Sequence, residues 1–234
     1  MITVVAWWWR KPDGSHLFGP EYLDRMRNML ARHLHREHEF VVVTDSPALV
    51  PTGIRTERIT QWQDTPRCRR RIKQYDRTFA ATLGTRILSI DLDVVLVDDI
   101  TPLVDRREPI VCWRVGYAGV YSGSFVLYNF GALDGLYRAF LADPDGFPAS
   151  CGPGVQSDQA MLNAWLADRD VPHWTDADGI RPYFGDGYER IAARHGGICP
   201  AAPDLPEGTR IVVLGSADKR VLDERRYDWT EAWC

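Results

Sequence analysis

The first hundred residues change hydrophobic period several times, and that alternation restricts the fold most. Residues 2–9 form an apolar run rich in β-branched and aromatic side chains, which predicts a buried strand. Lys11-Pro12-Asp13-Gly14 breaks it. From Pro20, a residue suited to a first helical turn, Leu23, Met26, Leu30 and Leu34 recur every three or four positions and predict a helix. Glu39 to Asp45 reads as a second strand. A second helix is expected over residues 66–83, with Ile72, Tyr75, Phe79 and Leu83 as its apolar stripe and Gly84 as its stop. Arg86 to Ile90 is a third strand, delivering Asp91-Leu92-Asp93.

Beyond Val94–Val97, further strands are expected at 109–113, 124–128 and 210–214, and helices at 133–141 and 156–166. Such alternation implies an α/β fold: a Rossmann-like, mostly parallel sheet with helices on both faces. A length of 234 residues favours one domain. Asp143 to Gly154, with three prolines and three glycines, is the leading loop candidate.

Composition excludes some classes. A formal net charge of −4 argues against coating nucleic acid by bulk charge. No run reaches the ~18 apolar residues of a membrane span. The N-terminus has neither a basic n-region nor a cleavage site and reads as a strand. Five scattered cysteines without a C-x-x-C pair suggest reduced thiols and a cytoplasmic setting. Nine tryptophans, three of them consecutive at Trp7 to Trp9, are consistent with core packing or with a site for a flat ligand.

Asp91 and Asp93 carry the chemistry. In an extended backbone, residues two apart face the same side, so both carboxylates can meet one hard cation while Leu92 enters the core. Mg²⁺ or Mn²⁺ fits such oxygen ligands and stabilises a diphosphate leaving group. The triplet follows a strand, where open α/β sheets place ligands. A bare D-x-D is also compatible with two solvated carboxylates at a strand exit.

The run from Ile87 to Leu103, ILSIDLDVVLVDDITPL, closely resembles the D-x-D region of GT-A glycosyltransferases of the glycogenin and galactosyltransferase-like kind. Supporting segments are the strand Val4 to Trp8, the Thr44-Asp45 pair, basic Arg67 to Lys73, Ser122 to Phe130 with Asn129, and the Asp158-Gln159 helix start. Together they cover most of residues 2–166.

The resemblance implies a single GT-A domain over 1–234, with a nucleotide-binding half at about 1–100 and an acceptor and sugar half at about 101–234. It implies a hexosyltransferase-like enzyme, with Asp91 and Asp93 on the metal, Asp91 also reaching the ribose, and Lys73 on a phosphate. On a helical wheel Arg70, Lys73 and Arg77 share one face away from the apolar stripe. Ala6, Trp7 and Trp8 would line the base, with Asp45 accepting from it, and Leu92 would lie within the donor site. Asp158 and Gln159 would contact donor sugar hydroxyls, although Ser157 and Asp158 also suit a helix start in their own right. Asn129 and Ser124 are further candidates.

The family's third metal ligand, a His before a Gly and a Lys-Pro, is absent. Gly215 and Lys219 fit that stretch loosely, and Asp218 is the replacement metal ligand expected here. His195 and His173 are remote alternatives, and Lys219 or Arg220 could supply a cation. Trp229 and Trp233 could close over the donor.

The expected reaction passes a sugar from a nucleotide sugar, with UDP leading, to a hydroxyl acceptor. That acceptor would be a glycan or a lipid-linked glycan, with a nucleic-acid base as a minority option. Inversion would use a base such as Asp158, whereas retention would not. Two alternatives stay open. One is a haloacid dehalogenase-like phosphotransferase with Asp91 as nucleophile. The other is a non-catalytic nucleotide- or sugar-binding relative.

Overall fold

The computed structural model describes residues 1–59, 67–116, 118–151, 157–214, 220–224 and 227–233. The strands are β1 (Ile2–Trp8), β2 (His38–Thr44), β3 (Arg55–Arg58), β4 (Arg86–Ile90), β5 (Val94–Leu96), β6 (Ile110–Val115), β7 (Val120–Asn129), β8 (His173–Trp174), β9 (Ile180–Pro182) and β10 (Ile211–Val213). The helices are α1 (Glu21–His33), α2 (Arg77–Leu83), α3 (Thr101–Val104), α4 (Asp134–Ala142), α5 (Gly146–Ser150), α6 (Asp158–Leu166), α7 (Glu189–His195) and α8 (Arg220–Asp223). Among these residues no helix is long and apolar enough to cross a membrane.

Seven strands form one sheet in the order β3-β2-β1-β4-β7-β6-β8. From β3 to β4 every pairing is parallel. Strand β7 runs antiparallel to both β4 and β6, and β8 pairs parallel with β6. A small second sheet, β5-β10-β9, follows from the chain leaving β4. The α/β, mostly parallel architecture read from the sequence is therefore present.

Both faces of the sheet are covered, which is why β1 is apolar throughout and does not alternate. Its even positions, Val4, Ala6 and Trp8, enter one core with α1, the second sheet and the C-terminal aromatics. Its odd positions, Val5 and Trp7, enter the other with the 67–83 region, α4 and α6. The expected helix over 66–83 is two elements. Arg67–Tyr75 winds as a 3-10 helix, and α2 begins after Asp76, whose side chain accepts from the Thr78 amide at 3.1 Å. Residue 66 lies outside the described residues. Gly84 ends α2 at φ 129°.

The expected 143–154 loop is partly helical: α5 occupies Gly146–Ser150, and Asp143 Oδ1 accepts from the Gly146 amide at 2.8 Å just before it. Its residues 152–156 lie outside the described residues. Cys68, Cys112, Cys151 and Cys199 are all unpaired.

Candidate functional site

The carboxyl ends of β2, β1 and β4 lie side by side, since Trp8 pairs with Thr44 and Val5 with Ser89. This edge carries Asp45, Trp9 and Asp91. Asp45 accepts from the Arg10 amide at 3.3 Å and from the Ser46 hydroxyl at 2.8 Å, which fixes the loop after β1 against that after β2.

Asp91-Leu92-Asp93 is not extended. The Val94 amide donates to the Asp91 carbonyl at 3.3 Å, closing a turn between β4 and β5. The same-face argument for the two carboxylates therefore does not apply, because the chain must switch sheets here. Leu92 is buried in the core, as expected. Asp93 is largely buried and Asp91 retains 26% side-chain exposure. The Asp91 amide donates to the Ser124 carbonyl at 3.0 Å.

The centre of the cluster is Arg71. Its Nη1 bonds Asp91 Oδ1, and its Nη2 donates to the Gly123 carbonyl at 2.7 Å. Its Nε lies 2.9 Å from Asp158 Oδ2 as an ion pair, off the N–H axis needed for a hydrogen bond. Burial works against the Arg71 charge, but Asp158 and Asp91 outweigh it and raise its pKa. Burial pushes the Asp158 carboxyl up; Arg71 opposes this and Asp91 reinforces it. The Cys68 thiol and the Tyr75 hydroxyl are likewise raised, chiefly by burial.

Helix α6 anchors the cluster. Ser157 caps it, accepting from the Ala160 amide at 3.2 Å. Gln159 Oε1 accepts from the Gly123 amide at 3.0 Å. Asn163, one turn on, accepts from the Tyr121 amide at 2.7 Å and donates to the Tyr121 carbonyl at 2.6 Å. Strand β7 runs past the end of its β4 pairing here, and these two side chains take up the backbone groups a neighbouring strand would use. A Cβ on Gly123 would stand 3.4 Å from both Arg71 and Gln159, in ordinary contact distance, so this strand position lies directly against the cluster.

Several expected roles need correction. Lys73 is held by Asp76 at 2.5 Å and the Tyr137 hydroxyl at 3.2 Å, beside α4. A 3-10 helix has three residues per turn, so Lys73 follows Arg70 while Cys68, Arg71 and Gln74 share another face. Arg70 is buried rather than solvated, with its guanidinium 5.1 Å from the Trp9 ring centroid.

Asn129 is at the wrong end of the sheet. It pairs with Arg86 at the start of β4, because β7 is antiparallel, whereas Asp91 follows the strand's other end. Ala6, Trp7 and Trp8 are packed inside. Trp8 stacks on His16 at 3.9 Å and donates to the Phe18 carbonyl, and Trp7 leans on Phe79. Trp9, to which sequence reasoning gave no role, is the partly buried ring of the three.

Trp229 donates to the Pro203 carbonyl, and Trp233 packs edge-on against Tyr22, so both belong to the core rather than to a lid. His173 Nδ1 lies against the Val171 carbonyl, and His195 ends α7. Gly215, Asp218 and Lys219 lie outside the described residues, as does the Arg220 side chain. Among the described residues no three His, Cys, Asp or Glu side chains group to hold a metal ion.

Sequence reasoning missed Arg71 as the organising residue. Its signal was the basic run itself, but helix periodicity assigned that run to the wrong face. Gln74 was also missed. It is fully buried, and neither its amide nitrogen nor its oxygen has a partner among the described residues.

No protein-family model matches the chain, and no curated protein matches it in sequence.

Proposed function

We propose that this chain is a glycosyltransferase, moving a sugar from a nucleotide sugar, with UDP as the leading nucleotide, to a hydroxyl acceptor. The observation that carries the reading is the gathering of Asp91, Asp158 and Arg71 where the parallel strands β1, β2 and β4 end. Open α/β sheets bind ligands there. The resemblance of residues 87–103 to GT-A enzymes supplies the reaction class, and a GT-A type of sheet is part of the proposal.

Asp91 and Asp93 are hard oxygen donors that fit Mg²⁺ or Mn²⁺, ions commonly bound by one or two carboxylates together with phosphates and water. When bound, such an ion would neutralise the donor diphosphate. The Leu214 amide donates to the Asp93 backbone carbonyl at 3.3 Å, so residue 214 lies next to the Asp93 main chain. Asp218 and Lys219 remain the proposed contributors from the stretch that follows. Arg71, fixed by two carboxylates and a carbonyl, places a permanent cation beside Asp91. Asp158 acts in this reading by positioning Arg71, and Gln159 by holding Gly123.

The test is a nucleotide-sugar panel with Mn²⁺, read by thermal shift and by UDP release, comparing the wild type with Asp91→Ala/Asp93→Ala. Aspartate-dependent release supports the reading. Binding and release that ignore both aspartates overturn it. An aspartyl adduct trapped by beryllofluoride would favour the phosphotransferase instead. Tight UDP binding without Asp93-dependent release would favour a binding protein.

A further inference from the structure

A second cluster of charge lies at the opposite edge of the main sheet. A cavity of about 470 Å³ is lined by Arg36, Arg86, Asp105, Arg106, Arg107 and Asn129, among others. Arg86 starts β4, and Asn129 ends the antiparallel β7 beside it. Arg86 and Asp91 are five positions apart, so the cavity is removed from the Asp91 cluster by about 16 Å of strand.

The four guanidiniums are not equally compensated. Arg36 is paired with Asp105. Arg106 forks onto Glu108, with contacts of 2.5–3.1 Å. Arg86 has no carboxylate within salt-bridge distance among the described residues, although the nearby Glu108 charge favours its protonated form. It donates to three uncharged oxygens, the Glu108 and Arg106 carbonyls, each at 2.7 Å, and Asn129 Oδ1 at 2.8 Å. These bonds aim the guanidinium without neutralising it. Its Nε–H and one Nη2–H have no partner among the described residues, and burial lowers its pKa, with Glu108 partly opposing this. The Arg107 side chain is exposed and has no partner among the described residues. The Asn129 amide nitrogen likewise has no partner among the described residues, its Oδ1 accepting from Arg86. In a chain of net charge −4, two arginines without a salt bridge among the described residues, Arg86 and Arg107, thus face one concavity together with the Asn129 amide.

We propose that this cavity is a binding site for a phosphate-bearing ligand, gripped by Arg86 and Arg107 with the Asn129 amide as a neutral donor. Planar guanidinium forks match tetrahedral oxyanions through paired, charge-assisted hydrogen bonds. The volume exceeds that of a lone phosphate, leaving room for the group that carries it. The site needs neither the glycosyl donor nor a divalent metal, so it stands or falls independently of the function proposed above.

The experiment is calorimetric titration of the full chain with inorganic phosphate and pyrophosphate in EDTA at constant ionic strength. Three variants accompany it. Asn129→Asp places a carboxylate where Asn129 already accepts from Arg86, supplying the missing counter-ion with little change of shape. Arg107→Glu reverses the exposed charge. Arg114→Glu alters an exposed arginine outside the cavity. Saturable binding that weakens roughly tenfold or more in the first two variants and not in the third supports the site.

No saturable binding overturns the proposal, as do equal affinity in the first two variants and equal loss in all three. Phosphatidylcholine vesicles with and without phosphatidic acid then separate the sources. Sedimentation that depends on phosphatidic acid and Arg107 assigns the phosphate to a lipid headgroup; phosphate binding without it assigns a soluble ligand.

Discussion

Asp158 Oδ2 lies 2.9 Å from Arg71 Nε, and both residues are largely buried. Removing one charge of such a pair leaves the other without compensation in a poorly solvated place. Arg71→Met should therefore destabilise the chain by about 3–5 kcal/mol, whereas adding Asp158→Asn should restore much of the loss. Urea unfolding of the two variants and the wild type measures both numbers. A double variant as unstable as the single one would show that Arg71 contributes mainly through Asp91 and Gly123.

Arg71 and Lys73 separate in function. Lys73 is engaged by Asp76 and Tyr137, away from Asp91. Lys73→Ala should leave UDP release within about twofold of wild type and lower stability by about 1 kcal/mol, the scale of a partly exposed ion pair. Arg71→Lys keeps the charge but loses the fork that reaches Asp91, Gly123 and Asp158 together, and release should fall about tenfold or more. Equal effects of the two substitutions would contradict the assignment.

Asn163 and Gln159 hold the β7 backbone where β4 no longer reaches it. Asn163→Ala strips both Tyr121 backbone groups of their partners and should cost about 1–3 kcal/mol. Hydrogen exchange gives a local reading: protection of the Tyr121 amide should drop, with the Gly123 amide following if α6 loosens. Unchanged exchange at Tyr121 would mean that water replaces the side chain without loss.

The outline of the site was legible because continuous apolar runs mark covered parallel strands, and Asp91 follows such a run. Ser157 and Asp158 were legible as a helix start for the same kind of local reason. Arg71 was not, since an apolar stripe spaced for an α-helix does not reveal that Arg67–Tyr75 winds with three residues per turn. Asn129 was assigned to the wrong end because a strand's pattern carries no direction, and β7 is antiparallel to β4. Trp7 and Trp8 were misjudged because burial of β1 on both faces leaves neither parity of the strand open.

His16 stacks on Trp8, and burial lowers its pKa below the ordinary 6.5. His33 is lowered for the same leading reason. Below about pH 6.5 the unfolded chain binds protons that the folded chain resists. Stability from these groups is thus complete above that pH and declines as pH falls through the window beneath it. The urea midpoint should be lower at pH 5.5 than at pH 7.5, and His16→Gln should flatten the slope. A midpoint that rises on acidification across this range would contradict the sign.

Gln74 offers the most direct test of whether the cluster trades stability for chemistry. Its side-chain amide is fully buried, and neither polar atom is partnered among the described residues. It stands one 3-10 turn beyond Arg71, on the same face. An unsatisfied buried amide costs about 1–3 kcal/mol, so Gln74→Met, similar in shape and without the amide, should raise stability by about that amount. If Gln74 serves the donor, UDP release should fall in the same variant, so that stability and turnover move in opposite directions. A stabilised variant with full release would make Gln74 a structural flaw unrelated to function. A destabilised one would mean that its amide is satisfied in solution, and hydrogen exchange of the side-chain amide protons would then show strong protection.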